Sequence, residues 1–159
     1  MGDTKDPATV RLRWAAGAHD LEGAMALREQ VFCREQGVPR DEELDGRDGE
    51  ALHLVALEPR SDRVIATLRL LQEGTRAKVG RVAVQRDWRR LGIAARMLQL
   101  ALTRARELGA TEARLAAQVE AKGLYEHAGF VVQSDQFMEA GIPHVWMGLQ
   151  LADERPFSG

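Results

Sequence analysis

The spacing of apolar residues along the chain predicts a mixture of strands and helices. Strict alternation of apolar and polar residues predicts a strand over residues 9–15. Apolar runs predict further strands, which cover residues 51–58, 63–71, 78–84, 112–119, 130–133 and 144–151. Pro59, Ser61 and Asp62 lie between the strands at residues 51–58 and 63–71, so we expect an antiparallel hairpin there.

Three other segments have apolar residues at helical spacing. Residues 19–32 predict a helix that Asp20 could cap, and residues 121–130 predict a short helix that ends at Gly129. Residues 92–108 predict the longest helix, which Gly109 terminates. The apolar stripe of this helix is predicted to comprise Leu91, Ala94, Ala95, Leu98, Ala101, Leu102, Ala105 and Leu108. Several glycines and Pro39 separate the first helix from the second strand, which leaves a loop with room for one short helix.

The element order is therefore β-α-β-β-β-α-β-α-β-β. A strand, a helix and a strand over residues 78–119 predict a right-handed crossover and hence a parallel pair, whereas the hairpins are antiparallel. The fold class is α/β with a mixed sheet: one central mixed β-sheet flanked by helices on both faces. A length of 159 residues suits a single domain over residues 1–159.

Composition narrows the classes of function. A formal net charge of −2 argues against a protein that grips a nucleic acid backbone. We expect no membrane span, because no run of about 18 apolar residues occurs, and no signal peptide, so a cytoplasmic protein is expected. The four histidines are scattered and Cys33 is the only cysteine, so we expect neither a metal site nor a disulfide. Cys33 also has no neighbouring histidine that would activate it as a nucleophile.

The loop before the longest helix has features of an anion site. Residues 89–94 read Arg-Arg-Leu-Gly-Ile-Ala, and the first turn of a helix leaves backbone N–H groups unpaired at its positive end. Gly92 permits close approach of a ligand, and Arg86, Arg89, Arg90 and Arg96 supply charge suited to a diphosphate. The loop lacks the Gly-Lys-Ser/Thr of a Walker loop and the three glycines of a dinucleotide fingerprint. Spacing alone leaves an ordinary helix start equally open.

Two motifs in order identify a family that the chain resembles. Arg89-x-x-Gly92-x-Ala94 after Gly-Arg-Val-Ala-Val resembles the Arg/Gln-x-x-Gly-x-Gly/Ala motif of the GNAT superfamily of acyl-CoA N-acyltransferases. Residues 118–130 resemble its Asn-x-x-Ala-x-x-x-Tyr-x-x-x-Gly-Phe pattern. The residues in register are Gln118, Ala121, Tyr125, Gly129 and Phe130. Residues 27–39, 43–57 and 137–149 further resemble the ElaA-like branch, and the whole likeness spans residues 12–151.

This resemblance implies an N-acetyltransferase that transfers the acetyl group of acetyl-CoA directly to a primary amine of a small molecule or peptide. The residues implied to hold coenzyme A are Val82, Ala83, Val84, Arg89, Arg90, Leu91, Gly92, Ile93, Ala94, Ala95, Gln118 and Tyr125. Tyr125 is further implied as the acid or contact at the coenzyme sulfur, and the Val84 N–H as a donor to the thioester oxygen. The alternative function is a domain that binds acyl-CoA without turnover, as a sensor or interaction module. The family also includes homodimers.

The acceptor site is less defined by the sequence. In this family it is formed by the first helices and the closing hairpin, and the candidate residues are His53, Arg69, Glu139 and His144. The alternative for His53 is a hydrogen-bonded core histidine, and the alternative for Arg69 is pairing with a neighbouring carboxylate. A chain of water molecules could also deprotonate the amine without a dedicated base. The acidic residues 41–50 either attract a cationic amine or form a solvated loop. The sequence identifies neither the acceptor nor the acyl chain length.

Overall fold

The computed structural model describes residues 5–151. Within them the strands are β1 (Arg11–Trp14), β2 (Leu52–Leu57), β3 (Val64–Glu73), β4 (Arg76–Val84), β5 (Glu112–Gln118), β6 (Val131–Val132), β7 (Phe137–Glu139) and β8 (Ile142–Gln150). The α-helices are α1 (Ala18–Arg28), α2 (Arg40–Glu43), α3 (Ile93–Glu107) and α4 (Lys122–His127). A π-helical turn, Glu29–Glu35, continues α1.

All described strands join one mixed sheet, as the sequence predicts. The order is β1-β2-β3-β4-β5-β8-β6, and β7 also pairs with β8. β4 and β5 are parallel and are connected through α3, which confirms the predicted crossover. The other pairs are antiparallel, including the predicted hairpin of β2 and β3.

The strand β7 is absent from the sequence prediction. It pairs with the start of β8 through a two-residue turn, in which Ala140 has φ 51° and Gly141 has φ 75°. Two left-handed residues match the twist of a tight hairpin. Asn-Gly is the usual signal for such a turn, and alanine seldom adopts this conformation, so local pattern does not reveal it.

A bulge in β4 opens the sheet. Thr67 of β3 pairs with Ala83, whereas Arg69 pairs with Gly80, so one β3 residue faces both Arg81 and Val82. Arg81 has φ 53°, in the left-handed region. Such a bulge bends its strand and increases the local twist. Pairing of β4 with β5 stops after three residue pairs, and the two strands then separate.

Apolar clusters lie on both faces of the sheet, which confirms the predicted layers. On one face, Ala24, Leu27 and Val31 of α1 and its continuation pack with buried residues of β2 and β3. On the other face, α3 packs its buried residues Ile93, Met97, Leu98, Ala101, Leu102 and Ala105.

The predicted α3 stripe was wrong at its ends. Ile93 and Met97 belong to the buried stripe, while Leu108 is 41% exposed. Ala94 and Ala95 are only half-buried. The inward face runs through Ile93, Met97, Ala101 and Ala105, which are spaced four residues apart, with Leu98 and Leu102 beside them.

The predicted cap of α1 was also wrong. Gly17 is the N-cap residue, without a side-chain bond, and Asp20 lies inside the first turn. The Asp20 carboxylate is 3% exposed and accepts hydrogen bonds of 2.8 and 3.1 Å from Arg13 of β1. These bonds lower the pKa of Asp20 and tie the start of the helix to the edge strand.

Candidate active site

A cleft of about 920 Å³ occupies the space where β4 and β5 separate. It brings together most of the residues that the sequence singled out. The predicted coenzyme residues that line it are Val82, Ala83, Val84, Arg89, Arg90, Gly92, Ile93, Ala94, Ala95, Gln118 and Tyr125. The predicted acceptor residues that line it are Arg69, Glu139 and His144. Leu91 and His53 do not line the cleft.

The loop before α3 presents a row of backbone donors. Arg90 has φ 63° and Gly92 has φ 82°, so the backbone curls before the helix starts. The first helical bond is donated by the Arg96 N–H to the Gly92 carbonyl, at 3.1 Å. Within residues 5–151, the N–H groups of residues 90–95 have no backbone acceptor. Such a concave set of donors at the positive end of a 15-residue helix suits an anion.

The arginines of this loop have different roles. Arg89 donates from Nε to the Val84 carbonyl and from Nη2 to Glu35, both at 2.8 Å, so it fixes the loop against β4. Arg96 donates to the carbonyls of Pro7 and Val10, away from the cleft. Arg90 is exposed and has no ion pair among the described residues. The backbone donors and Arg90 are therefore the groups of this loop that stay open to an anion.

The end of β4 leaves backbone groups open toward the cleft. The Gln85 N–H donates to the Ile65 carbonyl at 2.8 Å. Ala66 and Val84 are therefore a non-hydrogen-bonded pair, while Ala83 exchanges bonds with Thr67. The N–H groups of Val82 and Val84 thus point away from β3, toward the side that β5 has left. An extended ligand could pair with this free edge as a strand would.

Tyr125 of α4 lies at the wall of the cleft. Its side chain is 7% exposed, and its ring contacts Phe130 edge-on with centroids 6.1 Å apart. Burial raises the pKa of Tyr125 to about 12. The hydroxyl therefore remains protonated near neutral pH and can donate a hydrogen bond.

Gln118 bridges two parts of the fold. Its Nε2 donates to Gln36 Oε1 at 2.8 Å, which joins the end of β5 to the segment after α1. The Gln36 amide also donates to Gln118 Oε1, at 3.4 Å. Much of the amide capacity of Gln118 is thus used within the protein, across the cleft.

A partly buried charge network lies beside the cleft, of which the sequence indicated only that Arg69 could pair with a neighbouring carboxylate. Its members are Arg28, Arg69 and Arg81 with Glu43, Asp45 and Asp48. Arg28, 1% exposed, contacts Glu43 at 2.5 Å and Asp48 at 2.7 Å. Arg81 donates to the Glu43 carbonyl at 2.8 Å. The acidic segment is therefore solvated on its outer side, where Asp41, Glu42 and Glu50 are exposed, while three arginines pair with its inner carboxylates.

Arg69 belongs to this network rather than to an open acceptor site. It is 3% exposed, and it binds Asp45 at 2.7 and 2.8 Å and Asp48 at 3.2 Å. The hydrogen bonds from Arg69 hold the pKa of Asp45 well below its usual range. The pairing agrees with the alternative interpretation of the sequence, in which Arg69 binds a neighbouring carboxylate, although the sequence did not indicate which one.

His53 is a core histidine, so its predicted contact with an acceptor is not supported. It is 6% exposed and pairs across the strands with Arg69. Its Nε2 lies 3.0 Å from the Asp48 carbonyl. His53 therefore supports the segment that carries the charge network and has no surface in the cleft.

The structure also shows the surroundings of Cys33 and Trp88. Burial, with the Glu43 and Glu29 carboxylates, raises the pKa of the Cys33 thiol, so a nucleophilic thiolate is disfavoured. Trp88 is 4% exposed and packs in the core while it lines the cleft. Residues 5–151 contain no cluster of three or more His, Cys, Asp or Glu side chains suited to a metal ion. None of the helices in that range has the length and apolar character of a membrane span.

Comparison with known proteins gives a family match over most of the chain. Residues 19–151 match the family described as Acetyltransferase (GNAT) domain. A Mycobacterium tuberculosis (strain H37Rv) protein named as a UPF0039 protein is 38% identical over 146 residues, which cover 87% of this chain and 90% of that protein.

Solved structures share the fold along nearly their whole length. An N-acetyltransferase from Lactobacillus plantarum has a TM-score of 0.82 at 29% identity, and covers 90% of this chain and 99% of its own. An acyl-CoA N-acyltransferase from Pseudomonas aeruginosa has a TM-score of 0.74 at 31% identity, with 87% and 99% covered. Escherichia coli ElaA shares the fold, with a TM-score of 0.76 at 24% identity and 87% and 97% covered. A Bacillus subtilis acetyltransferase solved with CoA also shares it, with a TM-score of 0.69 at 17% identity and 90% and 99% covered.

Proposed function

The chain belongs to the acetyltransferase (GNAT) family, and we propose on that premise that it transfers the acetyl group of acetyl-CoA directly to a primary amine of a small molecule or peptide. The observation that carries the proposal is the row of open N–H groups over residues 90–95, next to the free edge of β4. A ligand that carries a diphosphate at one end and an amide-containing chain at the other suits both features.

The residues of the cleft fit such a donor. The N–H groups of residues 90–95, with Arg90, would hold the diphosphate, while Gly92 leaves the backbone open to it. Val82 and Val84 would bond the amide groups of the pantetheine arm. Arg89 would act indirectly, because its side chain fixes the loop to the Val84 carbonyl.

The same edge supplies a donor for the reaction. Negative charge grows on the thioester oxygen as the amine attacks the carbonyl carbon. A fixed backbone N–H, that of Val84, would stabilise this charge without reorganisation. A donor of this kind lowers the activation barrier by on the order of 3 kcal/mol in hydrolases.

Tyr125 suits hydrogen bonding to the leaving sulfur better than full proton transfer. Its pKa is about 12, whereas an ordinary thiol has a pKa of about 8.5. Proton transfer from Tyr125 to the thiolate would be uphill by roughly 3.5 pKa units, or about 5 kcal/mol. A donated hydrogen bond stabilises the thiolate without that cost, and the proton on the sulfur then derives from the amine.

Direct transfer is supported by the state of the one thiol. Burial raises the pKa of Cys33, and the nearest histidines in the sequence are His19 and His53. An acyl-cysteine intermediate needs a thiolate. Replacement of Cys33 by alanine should therefore leave turnover unchanged.

Binding and turnover together test the proposal. Purified protein is assayed for thermal stabilisation by acetyl-CoA and for thiol release with a panel of primary amines, which includes a monoamine, a diamine, an amino acid and a lysine-containing peptide. Stabilisation with amine-dependent thiol release supports the transferase. Stabilisation without release from any amine would favour the alternative, an acyl-CoA sensor or interaction module, and absence of both would refute each of them.

A further inference from the structure

The tautomer of His144 is set by the backbone. His144 Nδ1 lies 2.7 Å from the Ile142 carbonyl, which can only accept, so Nδ1 carries the proton. In a neutral imidazole the other nitrogen, Nε2, then has a free lone pair. The ring is 7% exposed and stacks on Phe137 at an angle of 24°, with centroids 5.9 Å apart, so its orientation is held from two sides.

Nε2 is free to accept a proton. Nε2 lies 3.6 Å from Glu139 Oε2. This distance is too long for a hydrogen bond and short enough for an ion pair once the ring is protonated. The Glu139 side chain is 60% exposed, and both residues line the cleft. Ring and carboxylate therefore face each other at the cleft, and the exposed carboxylate connects the pair to solvent.

The pair lies at the level of the free edge of β4. Lys78 pairs with Arg114 between β4 and β5, so Val82 and Gln118 are each four residues further along their strands. Gln118 pairs directly with His144 on β8. Val82, Val84, Gln118 and His144 all line the cleft that opens between these strands.

From this arrangement, and on the proposed function, we infer that His144 is the base that deprotonates the acceptor amine and that Glu139 binds the acceptor as an ammonium ion. A histidine can accept a proton at neutral pH, and a carboxylate next to it attracts a cation. The favoured acceptor is an amine that enters beside β7 and β8 as R–NH3⁺.

The protons balance in this scheme. His144 Nε2 takes one proton from R–NH3⁺, and the neutral nitrogen forms the C–N bond with the carbonyl carbon. The C–S bond breaks, and the second proton leaves the nitrogen for the departing thiolate, which Tyr125 supports by a hydrogen bond. The imidazolium returns its proton to solvent beside Glu139. The products are the N-acetyl amine, free thiol and one released proton.

Other charges in the cleft are arranged differently. Glu43 and Asp45 are paired with arginines, Arg81 among them. Glu42 and Glu120 also line the cleft and have no ion pair within residues 5–151. Glu22 of α1 is exposed and does not line the cleft, so it is the control for Glu139.

The main test compares His144→Gln with His127→Gln, an exposed histidine outside the cleft. Thiol release is measured from pH 7 to pH 10 with acetyl-CoA and the best amine of the panel. General bases contribute roughly 10²- to 10⁴-fold, so we expect a loss of about a hundredfold or more in kcat/KM at pH 7 for His144→Gln only. The loss should shrink toward pH 10, because an alkyl amine with a pKa near 10.4 becomes neutral without a base.

A structural role would give another profile. Misfolding or a displaced hairpin lowers the rate equally at all pH values and weakens acetyl-CoA binding. Equal rates for His144→Gln and His127→Gln, or a loss that does not change with pH, would overturn the inference. A ring signal in ¹H–¹⁵N spectra that shows the proton on Nε2 rather than Nδ1 in the neutral protein would also overturn it.

Glu139→Gln isolates the binding role. We expect KM for the amine to rise about tenfold while kcat changes less, and Glu22→Gln to leave both unchanged. Identical effects of the two substitutions would refute the assignment to Glu139. Thiol release by the wild type with some amine keeps the proposed function in place whichever way these comparisons fall, whereas no release with any amine removes the function and the inference together.

Discussion

Replacement of Gly92 by glutamate separates the role of the loop in binding from its role in folding. Gly92 has φ 82°, and a β-carbon there would meet no atom within 4 Å. The side chain therefore causes no steric clash in the protein, and the strain is that of a left-handed residue, roughly 1–2 kcal/mol. For a chain of this length that strain lowers Tm by about 2–8 °C.

The effect on coenzyme binding should be much larger. A carboxylate placed about 6 Å from one phosphate charge, at an effective dielectric constant of about 20, is repelled by roughly 3 kcal/mol. This corresponds to at least a hundredfold increase in Kd for CoA. Side-chain bulk over the N–H groups of residues 90–95 adds to that loss.

Gly74→Glu is the matched control. Gly74 lies in the turn between β3 and β4 with φ 61° and likewise has no atom within 4 Å of a β-carbon, but it does not line the cleft. Titration calorimetry with CoA and thermal unfolding are run on both variants. We expect similar losses of Tm and a loss of CoA affinity for Gly92→Glu alone. If the two variants bound CoA within about threefold of each other, the loop would not be the diphosphate site.

Three further predictions concern the cleft and its supports. Tyr125→Phe should lower kcat by about 10- to 100-fold, the effect of one hydrogen bond to a charged group, while Kd for CoA changes little. Because the pKa of Tyr125 is about 12, this loss of rate should be constant between pH 7 and pH 10. A loss that disappears at pH 9 in rate measurements would contradict the prediction. Arg69→Leu should lower the free energy of unfolding, measured in urea at pH 7, by about 3 kcal/mol. The pKa of Asp45 is lowered in the folded state, so the stabilisation by this ion pair is present above about pH 4 and is lost as the pH falls further. The difference in stability from wild type should therefore shrink in acid. Gly23→Ala should destabilise the protein although alanine favours helices, because its β-carbon would lie 2.5 Å from Val64 Cγ2. Val64→Ala should relieve this clash. If the losses of unfolding free energy were additive in the double variant, the clash would not be the cause.

Features that depend on local sequence were predicted well. Gly92 and Gly109, both with positive φ, bound α3 at the two ends, and the parallel pair of β4 and β5 follows from the strand-helix-strand order. The residues singled out for the donor half, apart from Leu91, line the cleft together because that half is built largely from consecutive backbone groups of one strand and one loop. Short motifs carry this information.

Features that depend on distant contacts could not be predicted. Gln36 and Gln118 are 82 residues apart in the chain, and Arg81 and Glu43 are 38 apart. The sequence shows an isolated arginine and an acidic run, but their pairing follows from the bulge at Arg81 and from the turn that places α2 above β3 and β4. His53 and His144 both lie in strands, and only the fold shows that one faces the Asp48 carbonyl and the other the cleft.

The most direct test of acetyl transfer is an initial-velocity study in which acetyl-CoA and the best amine are both varied and the N-acetylated product is identified by mass spectrometry. Direct transfer in a ternary complex predicts reciprocal plots that intersect, with one acetylated amine formed for each thiol released. Parallel plots would indicate an acyl-enzyme intermediate, and thiol release without an acetylated amine would contradict the transferase itself.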